Sequence, residues 1–107
     1  MTTIRFDRSQ SGFSGFTCSG HSGYAEAGED IVCAAVTSAV RLAECTINDV
    51  YRAGAPVAVD ETTASITLTL SPSGGHRQEC EGVLQGLFLY LRELSKENPD
   101  FIRVLEV

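Results

Sequence analysis

The chain has 107 residues, of which 43% are hydrophobic, and its formal net charge is −6. This length suits one domain over residues 1–107, and a mean hydropathy near zero with only three prolines argues against a disordered chain. No apolar run approaches the roughly 18–20 residues that cross a bilayer, and no signal segment is evident, so we expect a cytoplasmic protein without membrane association. The acidic balance disfavours direct nucleic-acid binding and favours a cationic partner, although solubility alone also explains it.

Two short strands begin the chain and are predicted to pair as a hairpin. Residues 3–7 place Ile4 and Phe6 between polar neighbours, which is the alternation of a half-buried strand. After a turn, Phe13–Ser19 is predicted to form the second strand, and Gly15 within it marks a bulge.

A glycine-rich loop over residues 20–29 separates this hairpin from the first helix. The glycines make the loop flexible and allow its backbone to approach a ligand closely. Asp30 is the predicted N-cap of the helix, which places Cys33 at the third position, and the helix runs to about Arg52. Its apolar face recurs at helical spacing and comprises Val32, Ala35, Val36, Ala39, Val40, Ala43, Ile47 and Val50.

In the second half of the chain, the sequence pattern predicts two more strands, a second helix and a last strand. The strands cover residues 57–59, 63–70 and 101–107. The helix spans about residues 78–96, and its apolar face comprises Val83, Leu84, Leu87, Phe88, Leu91 and Leu94. The order β-β-α-β-β-α-β predicts an α+β fold, a two-layer sandwich in which two helices cover one face of a mainly antiparallel sheet.

The four cysteines contain no C-x-x-C pair, which argues against a zinc ribbon or a thioredoxin-type site. In a cytoplasmic protein we expect them to be reduced. Cys18 and Cys45 are interpreted as small apolar residues, since reduced cysteine is often buried. Cys80 falls near the start of the second helix, and neither Cys80 nor the loop residue His76 is given a role.

Cys33 and His21 are the candidate catalytic residues. The positive field of a helix N-terminus favours a thiolate, and Cys33 lies in the first turn if Asp30 is the cap. His21 follows the second strand, and the flexible loop allows its imidazole to fold over Cys33 and accept the thiol proton. Asp30 or a backbone carbonyl would orient the imidazole. The hydroxyl of Thr37, one helical turn after Cys33, would bond the sulfur or the substrate, and backbone N–H groups would hold an oxyanion.

Other interpretations of the same residues remain open. A structural cysteine and an unrelated loop histidine are commoner than a catalytic pair at this twelve-residue spacing. A metal site would combine His21 and Cys33 with His76 or Cys80, but no paired ligand spacing supports it, and we expect neither a metal nor a cofactor. Phosphate binding by the glycine loop is disfavoured because the carboxylates of Glu26, Glu29 and Asp30 crowd it.

The most informative motif is GHSGYAEAGEDIVCAA, residues 20–35. It closely resembles the signature of the ribosomal-processing cysteine protease (Prp) family, and the chain length, the element order and the second amphipathic helix, which ends in residues 96–100, agree with that family. The resemblance implies that His21 and Cys33 form the catalytic dyad and that Asp30 supports it. Thr37 stands where some relatives have a serine, which keeps a hydroxyl but stiffens its rotamers.

The resemblance also implies that the glycine loop opens to admit a peptide, a movement that would involve Gly20, Ser22, Gly23 and Gly28. Family members remove the N-terminal extension of a large-subunit ribosomal protein, cutting after a phenylalanine that a basic segment follows, and they are cytoplasmic homodimers. The alternative is a non-enzymatic ribosome-assembly factor that binds the basic tail of a ribosomal protein. A third hypothesis is a thioesterase or another acyl-transfer enzyme with the same dyad.

Overall fold

The structure is a computed structural model that describes residues 1–20 and 27–107, with the backbone alone described for residues 27–30. Within these residues the elements follow the predicted order β-β-α-β-β-α-β. The strands are β1 (Thr2–Arg8), β2 (Phe13–Ser19), β3 (Val57–Asp60), β4 (Ser65–Thr69) and β5 (Ile102–Glu106). The helices are α1 (Ala27–Cys45), which continues as a π-helical segment over Thr46–Val50, and α2 (Arg77–Glu97).

The five strands form one mixed sheet in the order β3-β4-β2-β1-β5. β1 pairs antiparallel with β2 and parallel with β5, while β4 pairs antiparallel with both β2 and β3. The sheet is therefore mainly antiparallel, as the sequence predicts. The register between β1 and β2 shifts where Asp7 pairs with Gly15 and Arg8 with Phe13, which is where the glycine predicts a bulge.

The face of the sheet that carries the core is set by the period-two alternation of the strands. Ile4, Cys18 and Ile66 pair in turn across β1, β2 and β4 and form one row on this face. The next row along the strands is fully buried and consists of Phe6, Phe16 and Leu68. The ring of Phe88 from α2 meets Phe6 edge-to-face with ring centroids 5.3 Å apart, so the helix layer packs directly on these rows.

The opposite face of the sheet is polar. Arg5, Thr17 and Thr67 pair across the same three strands, and the hydroxyls of Thr17 and Thr67 hydrogen-bond at 3.1 Å. Arg5 is exposed and lies 3.4 Å from Asp7. The two helices thus cover one face of the sheet and leave the other to solvent, which confirms the two-layer sandwich.

Both helices bury the faces that the sequence predicts. The buried residues are Val32, Val36, Val40, Ala43 and Ile47 on the first helix and Leu84, Leu87, Phe88 and Leu91 on the second. Val50 was expected on the same face but is 67% exposed. It lies in the π-helical segment, where the hydrogen-bonded turn is one residue wider and changes the rotation per residue.

Cys45 also differs from expectation, because it is exposed rather than buried. It lies between the core-facing Ala43 and Ile47 in sequence, so the helical rotation turns its side chain outward. The π-helical segment that follows is held by Asn48, whose side chain donates to the Ala55 carbonyl at 3.0 Å and accepts from its N–H at 2.8 Å.

The first helix differs from the expectation that no apolar segment is long enough to cross a bilayer. Residues Ile31–Val50 form a helical span that is long and apolar enough, by length and composition, to cross a membrane. Its apolar stripe belongs to the hydrophobic core while 28% of the span as a whole is buried, which is the pattern of an amphipathic helix with one side packed against the rest of the domain.

Candidate active site

Cys33 lies on α1 at one end of the sheet and is partly buried. Its Sγ atom is 3.2 Å from the Oγ1 atom of Thr2, a distance at which either group can donate a hydrogen bond to the other. Thr2 is the first residue of β1 and is fully buried. The contact therefore joins the side chain of Cys33 to a fixed point on the sheet.

Thr2 is a neighbour of Cys33 that the sequence-based prediction leaves out, because the predicted first strand begins one residue later. A signal for it is present in the sequence. Thr2 has the same parity as Ile4 and Phe6, so it belongs to the buried face, and a hydroxyl in such a position needs a partner.

Cys18 is a second thiol close to Cys33. It is 1% exposed on the core face of β2, and burial together with the proximity of Cys33 raises its pKa to about 11. Such a thiol stays protonated at neutral pH and is a poor nucleophile. The expectation that Cys18 is a small buried residue is confirmed.

The two remaining cysteines lie away from this end of the sheet. Cys80 is buried in the first turn of α2, as expected, and burial raises its pKa. Cys45 is exposed at the end of α1, where a hydrogen bond with the Asp49 side chain raises its pKa. None of the four cysteines, all of which lie in the described part of the chain, forms a disulfide.

Gly20 brings the end of β2 against the start of β1. Its φ is +98°, in the left-handed region, and a Cβ atom there would overlap the carbonyl oxygen of Met1 and approach the Cα of Thr2 to 3.4 Å. Only glycine fits this close approach without strain. The backbone of Gly20 therefore lies beside Thr2, the residue whose hydroxyl contacts Cys33.

The start of α1 differs from the sequence-based prediction. The helix begins at Ala27 rather than after an Asp30 cap, so Gly28 and Asp30 belong to its first turn and Cys33 is its seventh residue. Alanine and glutamate favour helix, and Ala27 and Glu29 extend the helix toward the N-terminus. The N–H of Cys33 is therefore inside the helical ladder, and the field of the unpaired first-turn amides acts on its sulfur from farther away.

Several predicted site residues lie wholly or partly outside the described residues. His21, Ser22 and Gly23 are among residues 21–26, which the structure does not describe, and of Asp30 only the backbone is described. Thr37 is described, and its side chain is exposed one turn after Cys33 on α1. The structure thus brings together Cys33, Thr2, Cys18 and Gly20.

Other features that the sequence singles out lie elsewhere. His76 precedes α2, is exposed, and has its Nδ1 atom 3.3 Å from the Glu79 carboxylate. A groove of about 530 Å³ runs between α1 and α2, and Cys33 is not among its lining residues. Among the described residues, no group of three or more histidine, cysteine or acidic side chains is placed to hold a metal ion.

Comparison with known proteins gives one family and a set of similar structures. A family model described as cysteine protease Prp matches residues 1–103. The chain is similar to an essential ribosomal processing protease Prp from S. aureus in complex with a substrate peptide, with a TM-score of 0.88 and 18% identity over 100% of both chains. The same S. aureus protease with a covalently linked product peptide gives a TM-score of 0.85 at 18% identity, again over 100% of both chains.

A further similar structure is SMU.848 from Streptococcus mutans. Its TM-score is 0.86 at 21% identity, and the match covers 100% of this chain and 96% of that one. No curated protein matches the chain. At these identities, the likeness to solved structures establishes a shared fold.

Proposed function

Since the chain belongs to the cysteine protease Prp family, we propose that Cys33 is its nucleophile and that His21 is the base that activates it. Membership of this family makes the chain a cysteine protease. The choice of Cys33 is supported by the burial of Cys18 and Cys80 and by the distance along α1 that separates the exposed Cys45 from this end of the sheet.

The observation that carries the proposal is the hydrogen-bond contact between Cys33 and Thr2, together with the position of Gly20. The sulfur of Cys33 is held 3.2 Å from a hydroxyl at the start of β1, and Gly20 lies against the same residue. His21 follows Gly20 directly in the chain. Because His21 is bonded to Gly20, the chain enters His21 from the end of the sheet at which Cys33 is held.

The reaction that we propose is hydrolysis through a thioester. His21 accepts the proton of Cys33, and the sulfur attacks the carbonyl carbon of the scissile peptide bond. Backbone N–H groups hold the oxyanion, and His21 returns the proton to the leaving amine. Water then hydrolyses the thioester. Asp30 and Thr37 support the dyad, and the loop with Gly20, Ser22, Gly23 and Gly28 admits the peptide.

As the substrate we propose the N-terminal extension of a large-subunit ribosomal protein, cut after a phenylalanine that a basic segment follows. The similar S. aureus structures are of a ribosomal processing protease with a substrate or product peptide. The charge of this chain is compatible with a basic peptide. Asp60 is the last residue of β3, Glu61 follows it and Asp100 precedes β5, and all three are exposed at the same end of the sheet as Thr2.

We further propose that residues 1–107 act as one protease domain in the cytoplasm and that two copies associate through the groove between α1 and α2. The groove is lined largely by apolar and small residues, including Ala35, Ser38 and Ala39. Leu42 and Tyr90 on its walls are 68% and 53% exposed. Small side chains allow a partner helix to approach closely, and burial of the exposed apolar side chains would favour association.

A cleavage assay tests the proposed activity. The substrate is a synthetic peptide that carries the extension, the phenylalanine and the basic segment, and the products are identified by mass spectrometry. We expect the wild-type protein and the matched control Cys45→Ser to cut after the phenylalanine, and Cys33→Ala and His21→Ala to give no product. Normal turnover by Cys33→Ala would contradict the proposal.

A further inference from the structure

Thr2 is a polar residue in an apolar position. It is 0% exposed, and it shares the core face of β1 with Ile4 and Phe6, which are also 0% exposed. A hydroxyl that is buried without a hydrogen-bond partner costs stability, so its presence requires an explanation. Its Oγ1 atom is directed at the Sγ atom of Cys33 at 3.2 Å.

The backbone of Thr2 is held from both sides. It pairs in parallel with Ile102 of β5, and its N–H donates to the carbonyl of Phe101 at 2.9 Å. On its other side Gly20 packs against Met1 and the Cα of Thr2. The side chain is β-branched, which restricts its rotation about χ1. The hydroxyl is therefore a fixed group and cannot turn to solvent.

The chemistry of the contact changes with the protonation state of the sulfur. When Cys33 is a thiol, its S–H can donate to Oγ1, and when it is a thiolate, the hydroxyl of Thr2 can donate to the negative sulfur. Hydrogen bonds to a charged acceptor are the stronger of the two kinds. The contact is therefore strongest in the state of Cys33 that attacks a peptide.

We propose that Thr2 is a positioning residue that holds the Cys33 sulfur at the end of the sheet and stabilises its reactive thiolate form by donating a hydrogen bond. This inference rests on the proposed function, in which Cys33 is the nucleophile. It adds the Thr2 hydroxyl, on β1, to the proposed dyad of His21 and Cys33.

The titratable neighbours of Cys33 do not supply the same effect. Cys18 on β2 has a pKa of about 11, so at neutral pH it is an uncharged thiol and supplies no positive charge to the Cys33 thiolate. Glu29 and Asp30 precede Cys33 on α1 and bring negative charge in the sequence, and His21 is the cation of the proposed pair. A neutral donor at a fixed distance stabilises the thiolate whether or not His21 is protonated.

The test uses alkylation of Cys33 by iodoacetamide, followed residue by residue by mass spectrometry from pH 5 to pH 10. Thr2→Val removes the hydroxyl and keeps the shape, Thr2→Ser keeps the hydroxyl, and Thr3→Val is the matched control on the other face of the same strand. Thermal unfolding of each variant establishes that it is folded. If Thr2→Val does not fold, Thr2→Ala replaces it in the same comparison.

We expect the hydroxyl-free variant to be alkylated at Cys33 about tenfold more slowly at pH 7, so that its pH profile differs from that of the wild-type protein. Thr2→Ser and Thr3→Val should retain the wild-type profile. An unchanged profile in the hydroxyl-free variant would overturn the role of Thr2. Alkylation does not depend on peptide cleavage, so this result is distinct from a failure of the wild-type protein to cut its peptide, which would instead overturn the proposed function.

Discussion

Cys18 on β2 and Cys33 on α1 are close enough to interact electrostatically, and this interaction adds to burial in raising the pKa of Cys18 to about 11. The two thiols differ in access to solvent, because Cys18 is 1% exposed whereas Cys33 is partly exposed beside Thr2. One end of the sheet therefore holds a buried thiol that stays protonated next to a partly exposed thiol.

Cys18 should make the stability of the protein depend on pH in the alkaline range. Its folded pKa lies above its ordinary value of 9.0, so the folded state prefers the thiol. This contribution is fully present below about pH 9 and is lost as the pH rises toward 11. We expect Cys18→Val to remove up to about 3 kcal/mol of that decline in the free energy of unfolding. Urea unfolding of both proteins from pH 7 to pH 11 measures it, and parallel declines would contradict the assignment.

Gly20 should be required for both stability and activity. In Gly20→Ala the methyl group meets the Met1 carbonyl at a backbone φ of +98°, so we expect a loss of about 2 kcal/mol in the free energy of unfolding and slower peptide cleavage. The matched control is Gly82→Ala on α2, where the new methyl group meets nothing within 4 Å and helix propensity predicts a gain of about 0.5–1 kcal/mol. Equal stability of the two variants in urea unfolding would show that the left-handed backbone at Gly20 is not needed.

The acidic residues at the same end of the sheet as Thr2 should assist a basic substrate. Asp60→Asn combined with Glu61→Gln removes two negative charges, and the asparagine keeps the oxygen that accepts from the Thr62 N–H at 2.9 Å. We expect KM for a basic peptide to rise about threefold at low salt, with the difference disappearing at high salt because ions screen exposed charges.

The matched control for this variant removes two charges at the other end of the sheet, by Glu79→Gln with Glu106→Gln. It leaves the net charge equal to that of the first variant, so the comparison separates local from overall charge. The same rise in KM in both variants would show that the position of the acidic residues does not matter.

The groove between the helices should control association. We expect Leu42→Glu to give a monomer in light scattering, because it would place a carboxylate in the contact between two copies. The matched control is Leu105→Glu, which alters an exposed leucine on the polar face of the sheet and should leave a dimer. A wild-type monomer, or a dimer that survives Leu42→Glu, would rule out this interface.

The strands and the buried helix faces can be predicted from the sequence, because apolar residues alternate along a strand and recur at helical spacing on the side that is buried. The bounds of β2 and the buried rows through Phe6 and Phe16 need no tertiary information. The start of α1 is harder to predict. Asp30 satisfies the N-cap preference, whereas Ala27 and Glu29 favour a longer helix, and the observed helix begins at Ala27. The exposure of Val50 depends on a π-helical turn that has no local signature in the sequence.

The site is predictable from the sequence only where its residues belong to one motif. Cys33 is predicted from the motif, but Thr2 is thirty-one residues away, and its contact with the sulfur exists only because the first residue of β1 meets α1 in the folded protein. The difference in burial between Cys18 and Cys45 is likewise not predictable from the sequence. Both are cysteines in regular elements, and only the packing decides that one is buried with a pKa of about 11 and the other exposed.

The most direct measurement is covalent labelling with a peptidyl chloromethyl ketone that ends in phenylalanine, followed by peptide mapping of the modified protein. We expect one adduct per chain, on Cys33, and protection of Cys33 when the uncleaved peptide is in excess. Labelling of Cys45 in preference to Cys33, or an equal distribution over the cysteines, would show that Cys33 is not the nucleophile.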